Sequence, residues 1–286
     1  MAKMMLRGAL AVLLLLTFLI SHPSLGGGKA KVIYRGQVAV LMYHHIADDN
    51  KSSSTITTKL FREQLTGLAS RGYQFIDLAA FRAYMAGGPV VDNAVYVTFD
   101  DGYDSYYRLA LPIMQELNVP STNFLITSQL EQKKTIGIPV MSTETVRKLR
   151  AEYPQAHVGS HTHNLHNKKD DEALLTARLE QDGGKETTGQ YEVRIQSDLN
   201  ASAELLRELD PDGADMLAYP FGIFDKAALK LVQASGFQYG FTISPGMTTH
   251  RTNPYAIPRI NIGNPTITPE LADFMIRQRI VAAFGQ

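Results

Sequence analysis

Residues 95–104 read VYVTFDDGYD. A β-branched and aromatic run that ends on two acids and a glycine is the pattern of a buried strand meeting a turn. In parallel α/β folds, catalytic groups concentrate at the carboxyl ends of strands, where loops vary over a rigid sheet. Neighbouring side chains on a strand point to opposite faces. Asp100 and Asp101 can therefore share one site only if the backbone turns, and Gly102 permits that turn. A solvated Asp-Gly turn is the plain alternative.

Working outward, short apolar runs alternate with helical patterns. Val38 to Tyr43 (VAVLMY) reads as a buried strand, Thr58 to Arg71 as a helix with Leu60, Phe61, Leu65 and Leu68 on one face, and Tyr73 to Ile76 as a strand. After the central Ala94 to Phe99 strand come a helix over Tyr106 to Leu117, stopping before Pro120, and a strand over Asn123 to Ile126. His157 to Ser160 reads as a strand end, Asp171 to Leu179 as a helix, and the stretch around Gly183, Gly184 and Gly189 as a polar loop. Glu192 to Leu209 is the longest helical pattern. Met216 to Tyr219, Tyr239 to Ile243 and Ile257 to Ile262 are later strands, with a helix over Lys226 to Ala234 closed by Gly236. This alternation predicts an α/β fold with a largely parallel sheet. No repeat or linker splits the chain, so one domain from about Lys31 to the C-terminus is expected.

The first thirty residues carry Lys3 and Arg7 but no acid, then an apolar run from Leu10 to Ile20, then Ser21, Pro23 and three glycines. That order predicts a secretory signal, cleaved after Gly26 or Ala30, and hence an exported, extracellular or cell-envelope protein. The apolar run is shorter than the roughly 20 residues that span a bilayer. A retained N-terminal anchor, which would associate the protein with a membrane, is the alternative. Cleavage after Ala30 would remove Lys3, Arg7 and Lys29, leaving 25 of the 28 bases against 28 acids.

Balanced charge gives no field that would draw nucleic acid, and nothing in the sequence implies a protein partner. The chain has no cysteine, so neither a disulfide nor a lipidated thiol can hold it, and thiolates are excluded as metal ligands. Any transition metal must be held by imidazole and carboxylate.

Three further segments can carry chemistry. GSHTHNLHN, residues 159–167, holds three of the eight histidines. His161 and His166 lie about 140° apart around an ideal helix, so they need a strand end and a following turn to meet at one ion. Two imidazoles and a carboxylate around a metal with an open position form a recurring hydrolytic site. In MLAYPFG, residues 216–222, a strand meets a Pro-Gly turn: the Phe221 backbone N–H could serve an oxyanion, and Tyr219 or Phe221 could form a wall. His44 and His45 follow the VAVLMY strand, and alternation sends one inward and the other away. A buried structural histidine and a general acid are the two readings.

Taken together in this order, TFDDGY at 98–103, SHTHNLH at 160–166 and AYPFG at 218–222 resemble the polysaccharide deacetylase family, carbohydrate esterase family 4, whose catalytic region is the NodB homology domain. The resemblance runs from about Val38 to Ile262. It implies a single-domain distorted (β/α) barrel and a divalent metal, often zinc. Asp101, His161 and His166 would be the ligands and Asp100 the base. The LMYHHI opening and the longer spacing of the two histidines look like the branch that deacetylates poly-N-acetylglucosamine of biofilm exopolysaccharide, in which His44 matches the general acid.

The usual arginine of the third motif is missing, since Leu217 and Ala218 precede Tyr219. Arg259, in IPRIN, is the candidate substitute for orienting Asp100; without one, Asp100 should titrate higher and activity should fall at acidic pH. The implied partner is an N-acetylglucosamine polymer. A peptidoglycan N-acetylglucosamine deacetylase and a non-catalytic glycan-binding protein are the alternatives. With no tryptophan in the chain, Tyr103 and Phe221 are left as candidate sugar-stacking residues.

Overall fold

Buried on both faces, the run Val38–Tyr43 (β1) can only be an interior strand of a sheet covered on each side. A computed structural model, which describes residues 31–49, 52–131, 137–181 and 183–282, bears this out. The expected signal or anchor lies outside the described residues. β1 pairs in parallel with Ala94–Phe99 (β3) along its whole length, from Val38 opposite Ala94 to Tyr43 opposite Phe99. That register brings the carboxyl ends of the two strands level, and the Asp100 N–H donates to the Tyr43 carbonyl at 3.0 Å.

The far edge of β3 is shared. Gln74–Phe75 (β2) pairs with its first two residues, whereas Ser121–Leu125 (β4) pairs with Val97 to Phe99. Beyond β4 come Ala156–Ser160 (β5), Met216–Ala218 (β6) and Tyr239–Phe241 (β7), all parallel. Ile260–Asn261 (β8) lies on the other side of β1. The chain approaching β8 also bridges β7, with Ile257 N–H on Gly240 O at 2.8 Å and Thr242 N–H on Ile257 O at 2.9 Å. One irregular segment thus joins the two ends of the sheet, and the result is the expected distorted (β/α) barrel.

Period-two alternation divides the strand residues. Val38, Val40, Tyr96, Phe124, Met216, Ala218, Phe241 and Ile257 pack together as the interior. Leu78–Met85 (α2) adds Phe81, whose ring stacks on Tyr96 at 4.5 Å. Ala39, Leu41, Tyr43, Val95, Val97 and Phe99 face outward onto helices such as Thr58–Ser70 (α1) and Leu111–Leu117 (α3). Extending the inward rows past the strand ends predicts that His44, Asp100, His161 and Arg259 converge at the carboxyl mouth.

Several elements differ from the sequence reading. No helix forms over Asp171 to Leu179: Lys168–Lys169 and Glu172–Ala173 make a hairpin turned by Asp170 and Asp171, both with positive φ. The carbonyls of Leu174, Leu175 and Ala177 are taken by side chains, Arg194 and the Tyr191 hydroxyl, instead of helical N–H groups. The glycine-rich stretch holds a short antiparallel pair, Glu180–Gln181 with Gly184–Lys185. Gly189 lies inside Thr188–Leu209 (α5), which starts four residues early on a capping box between Thr187 and Gln190. The helix expected from Tyr106 begins as a π turn over Tyr106–Ala110. Thr143–Glu152 (α4), Pro269–Arg277 (α7) and α2 are helices that the sequence reading did not place, each opened by a side-chain cap, Ser142, Thr268 and Asp77. Lys226–Ala234 (α6) forms where expected. Among the described residues no helix is long and apolar enough to cross a membrane.

Candidate active site

The convergence holds. Asp100 is only 2% exposed, and Arg259, fully buried, grips it with two hydrogen bonds, Nη1 to Oδ1 at 2.6 Å and Nη2 to Oδ2 at 2.7 Å. The guanidinium is itself fixed by Nε donating to Thr242 O at 2.8 Å and by Nη1 approaching Thr98 Oγ1 at 3.3 Å. Burial alone would raise the Asp100 pKa, but the Arg259 charge, then His161, outweigh it and hold the carboxyl below its ordinary value. A buried carboxylate kept ionised by a two-pronged partner is suited to accept a proton.

Asp101 needs the opposite turn of the chain. Its own φ is 72°, and that of Gly102 is 71°, so the reversal expected at the glycine begins one residue earlier. A left-handed aspartate costs on the order of 1 kcal/mol, a strain that active sites commonly carry. The turn brings Asp101 Oδ1 to 3.5 Å from His161 Nε2 and 3.4 Å from His166 Nε2. Thr162, with φ 70°, breaks the strand between the two histidines and lets the second swing back. His163 turns elsewhere, its Nδ1 lying 3.0 Å from Thr127 Oγ1.

Those three atoms fit a cation. Asp101 Oδ1 is buried without a hydrogen-bond partner, and its spacing to both imidazoles matches the edge of roughly 3.3–3.4 Å that ligands about 2.0–2.1 Å from a tetrahedral ion leave between them. His161 Nδ1 lies 2.8 Å from Ala218 O, a carbonyl that only accepts, so Nδ1 carries the proton and Nε2 offers its lone pair. Burial and the adjacent His161 push His166 down to about 4, leaving it unprotonated at neutral pH. Burial opposes a charge on His161 too, yet Asp101 and Asp100 raise its proton affinity; the same carboxylates would favour a metal ion. A second cluster, His157, Asp210 and Asp212, already has Arg150 on Asp210 at 3.2 Å.

The two adjacent histidines lie in different surroundings. His44 Nε2 lies 3.9 Å from Asp100 Oδ2, at the mouth, with its side chain 20% exposed. His45 faces the other way, buried, with Nδ1 2.8 Å from Ser105 Oγ.

Of the expected substrate contacts, Phe221 stays at the site: its ring is 4.6 Å from that of His166 and beneath the Lys168 ammonium at 4.9 Å. Its φ of 58° puts it in the left-handed region. Tyr103 is half-buried, its ring 5.1 Å from His45, and burial together with the Asp101 charge raises its pKa. Its hydroxyl sits beside the Asp101 carboxylate. Tyr219 does not form a wall. It is fully buried, stacked on Phe224 at 4.3 Å, and its hydroxyl donates to Tyr255 O at 3.0 Å, so no sugar can reach it.

This chain is similar to known proteins at three levels. The sequence profile described as "Polysaccharide deacetylase" matches residues 87–240, more than half of the chain. The poly-beta-1,6-N-acetyl-D-glucosamine N-deacetylase of Staphylococcus aureus is 27% identical over 214 residues, spanning 73% of this chain and 68% of the relative. The protein of the same name from Staphylococcus epidermidis is 26% identical over 210 residues, with the same coverage of 73% and 68%. Among solved structures, a de-N-acetylase from Aggregatibacter actinomycetemcomitans superposes with a TM-score of 0.74 at 20% identity, covering 84% of this chain and 100% of its own. IcaB from Ammonifex degensii gives 0.71 at 24% identity, covering 84% and 97%. Those two share the fold, while the profile match carries the assignment: the chain belongs to the polysaccharide deacetylase family and is a polysaccharide N-deacetylase.

Proposed function

We propose that the protein hydrolyses N-acetyl groups of poly-β-1,6-N-acetylglucosamine using one divalent cation, zinc before others, held by Asp101, His161 and His166. The observation that carries this reading is the partnerless Asp101 oxygen facing two imidazole nitrogens beside an Arg-paired carboxylate. When bound, a zinc-like ion supplies a Lewis acid that polarises the amide carbonyl and acidifies water. Asp100, held ionised by Arg259, takes a proton from the attacking water. Phe221 offers its N–H to the oxyanion as the carbonyl carbon becomes tetrahedral. His44 gives a proton to the nitrogen as the C–N bond breaks, so that acetate and a free amine leave. The Phe221 ring and the Lys168 stem border the sugar.

The preferred polymer follows from the names of the relatives. The leader-like first thirty residues make residues 31–286 the catalytic domain of an exported, cell-envelope protein. Acetate release from purified poly-β-1,6-N-acetylglucosamine and from peptidoglycan tests the reading. Faster release from the first is expected; release from peptidoglycan alone, or from neither polymer, would overturn the substrate assignment.

A further inference from the structure

α5 runs beside the loop that carries both histidine ligands, and one of its acids is committed to that loop. Asp198 accepts one backbone N–H on each oxygen, from His163 at 2.8 Å and from Asn164 at 2.7 Å. One helical turn on, Ser202 Oγ lies 2.7 Å from Ser160 Oγ, which in turn accepts the Thr162 N–H at 3.0 Å. From the other side, the N–H groups of Thr127 and Ser128 donate to the carbonyls of Thr162 and His163 at 3.1 and 3.0 Å. The chain between His161 and His166 is therefore held on both flanks, and on the α5 flank its midpoint is held by a single carboxylate.

We infer that Asp198 is a positioning residue which preorganises the His161–His166 loop and so sets the affinity of the metal site, without taking part in turnover. This rests on the cation reading above. His161 is fixed by its strand and by Ala218 O, but His166 comes from irregular chain after the left-handed Thr162. Its nitrogen reaches the Asp101 oxygen only if the intervening backbone keeps one conformation. Freed from Asp198, the Asn164 amide is exposed and can turn to water, so the loop gains conformers and cation binding must select one of them.

The test is a titration of Co2+, whose visible absorption reports ligand number and geometry, into metal-free wild type, Asp198→Ala and Asp198→Asn. Asp198→Ala is expected to bind on the order of 10- to 100-fold more weakly, a loss typical of groups that orient metal ligands. At saturation it should give the wild-type spectrum and, with excess metal, the wild-type kcat. Asp198→Asn keeps one acceptor oxygen and should fall between. Alanine is the better helix former, so α5 should persist in the metal-free protein, while stranding the His163 and Asn164 N–H groups lowers its unfolding midpoint. Wild-type cobalt affinity in Asp198→Ala, or a kcat loss that excess metal does not restore, would overturn the inference alone. Wild type that takes up no cobalt would overturn the cation reading and this inference with it.

Discussion

Arg259 and Asp100 are separated by 159 residues of sequence yet meet through two hydrogen bonds of 2.6 and 2.7 Å inside the barrel mouth. The arginine absent from the third motif is supplied from the approach to β8, because the inward row that ends at Ile257 points residue 259 at the end of β3. The condition under which Asp100 was expected to titrate high is therefore not met.

Removing that arginine should reverse the balance. Asp100 has a lowered folded pKa, so its charged form, and the stability it contributes, persist above the ordinary carboxylate range and are lost as pH falls through the lowered value. In Arg259→Met the cost of burial loses its largest counter-charge. The acid limb of the kcat/KM profile is expected to move to higher pH, with a stability loss of about 3–5 kcal/mol in denaturant unfolding near neutrality. An acid limb that stays in place would contradict the pairing.

Base and ligand should separate by mutation. Asp100→Asn is expected to keep its metal while activity falls by roughly 10²-fold or more. His161→Ala should lose both. Metal content measured on the two purified variants decides, and equal metal loss would count against the roles assigned.

His44 and His45 should also part. His44→Ala is expected to lower kcat by about 10²–10⁴-fold with metal retained, as for loss of a general acid. His45→Ala should instead cost on the order of 1–3 kcal/mol of stability by leaving the buried Ser105 hydroxyl with the Ile46 N–H as its one remaining partner. Steady-state kinetics and thermal unfolding on both variants test the division, and a larger kcat effect at His45 would reverse it.

Phe221 and Tyr219 give a second contrast. Tyr219→Phe removes one buried hydrogen bond, so a loss of about 1 kcal/mol with unchanged KM is expected. Phe221→Gly relieves a left-handed φ while deleting the ring beside His166, so KM should rise. A KM change at Tyr219 would mean that the tyrosine is reached by substrate after all.

The strands that carry the site were legible because β1 and β3 are apolar on both faces and end abruptly in His, Asp and Gly. Alternation alone could say that His44 and His45 diverge, but not which faces inward, since that depends on the pairing of β1 with β3. The false helix over Asp171 to Leu179 has apolar residues at plausible spacing; what defeats it is α5, whose Arg194 and Tyr191 take its carbonyls from a distance no local pattern records. Tyr219 misled because its motif sits at the mouth while its side chain points into the packing against α5 and α6. Asp198 carried no signal at all, being one polar residue among many on a long helix.

The most direct measurement is acetate release from poly-β-1,6-N-acetylglucosamine by protein stripped with a chelator and then titrated with zinc. The arrangement of Asp101, His161 and His166 predicts negligible release without metal and a rate that levels off near one equivalent per chain. Full-rate release by the metal-free protein would contradict it.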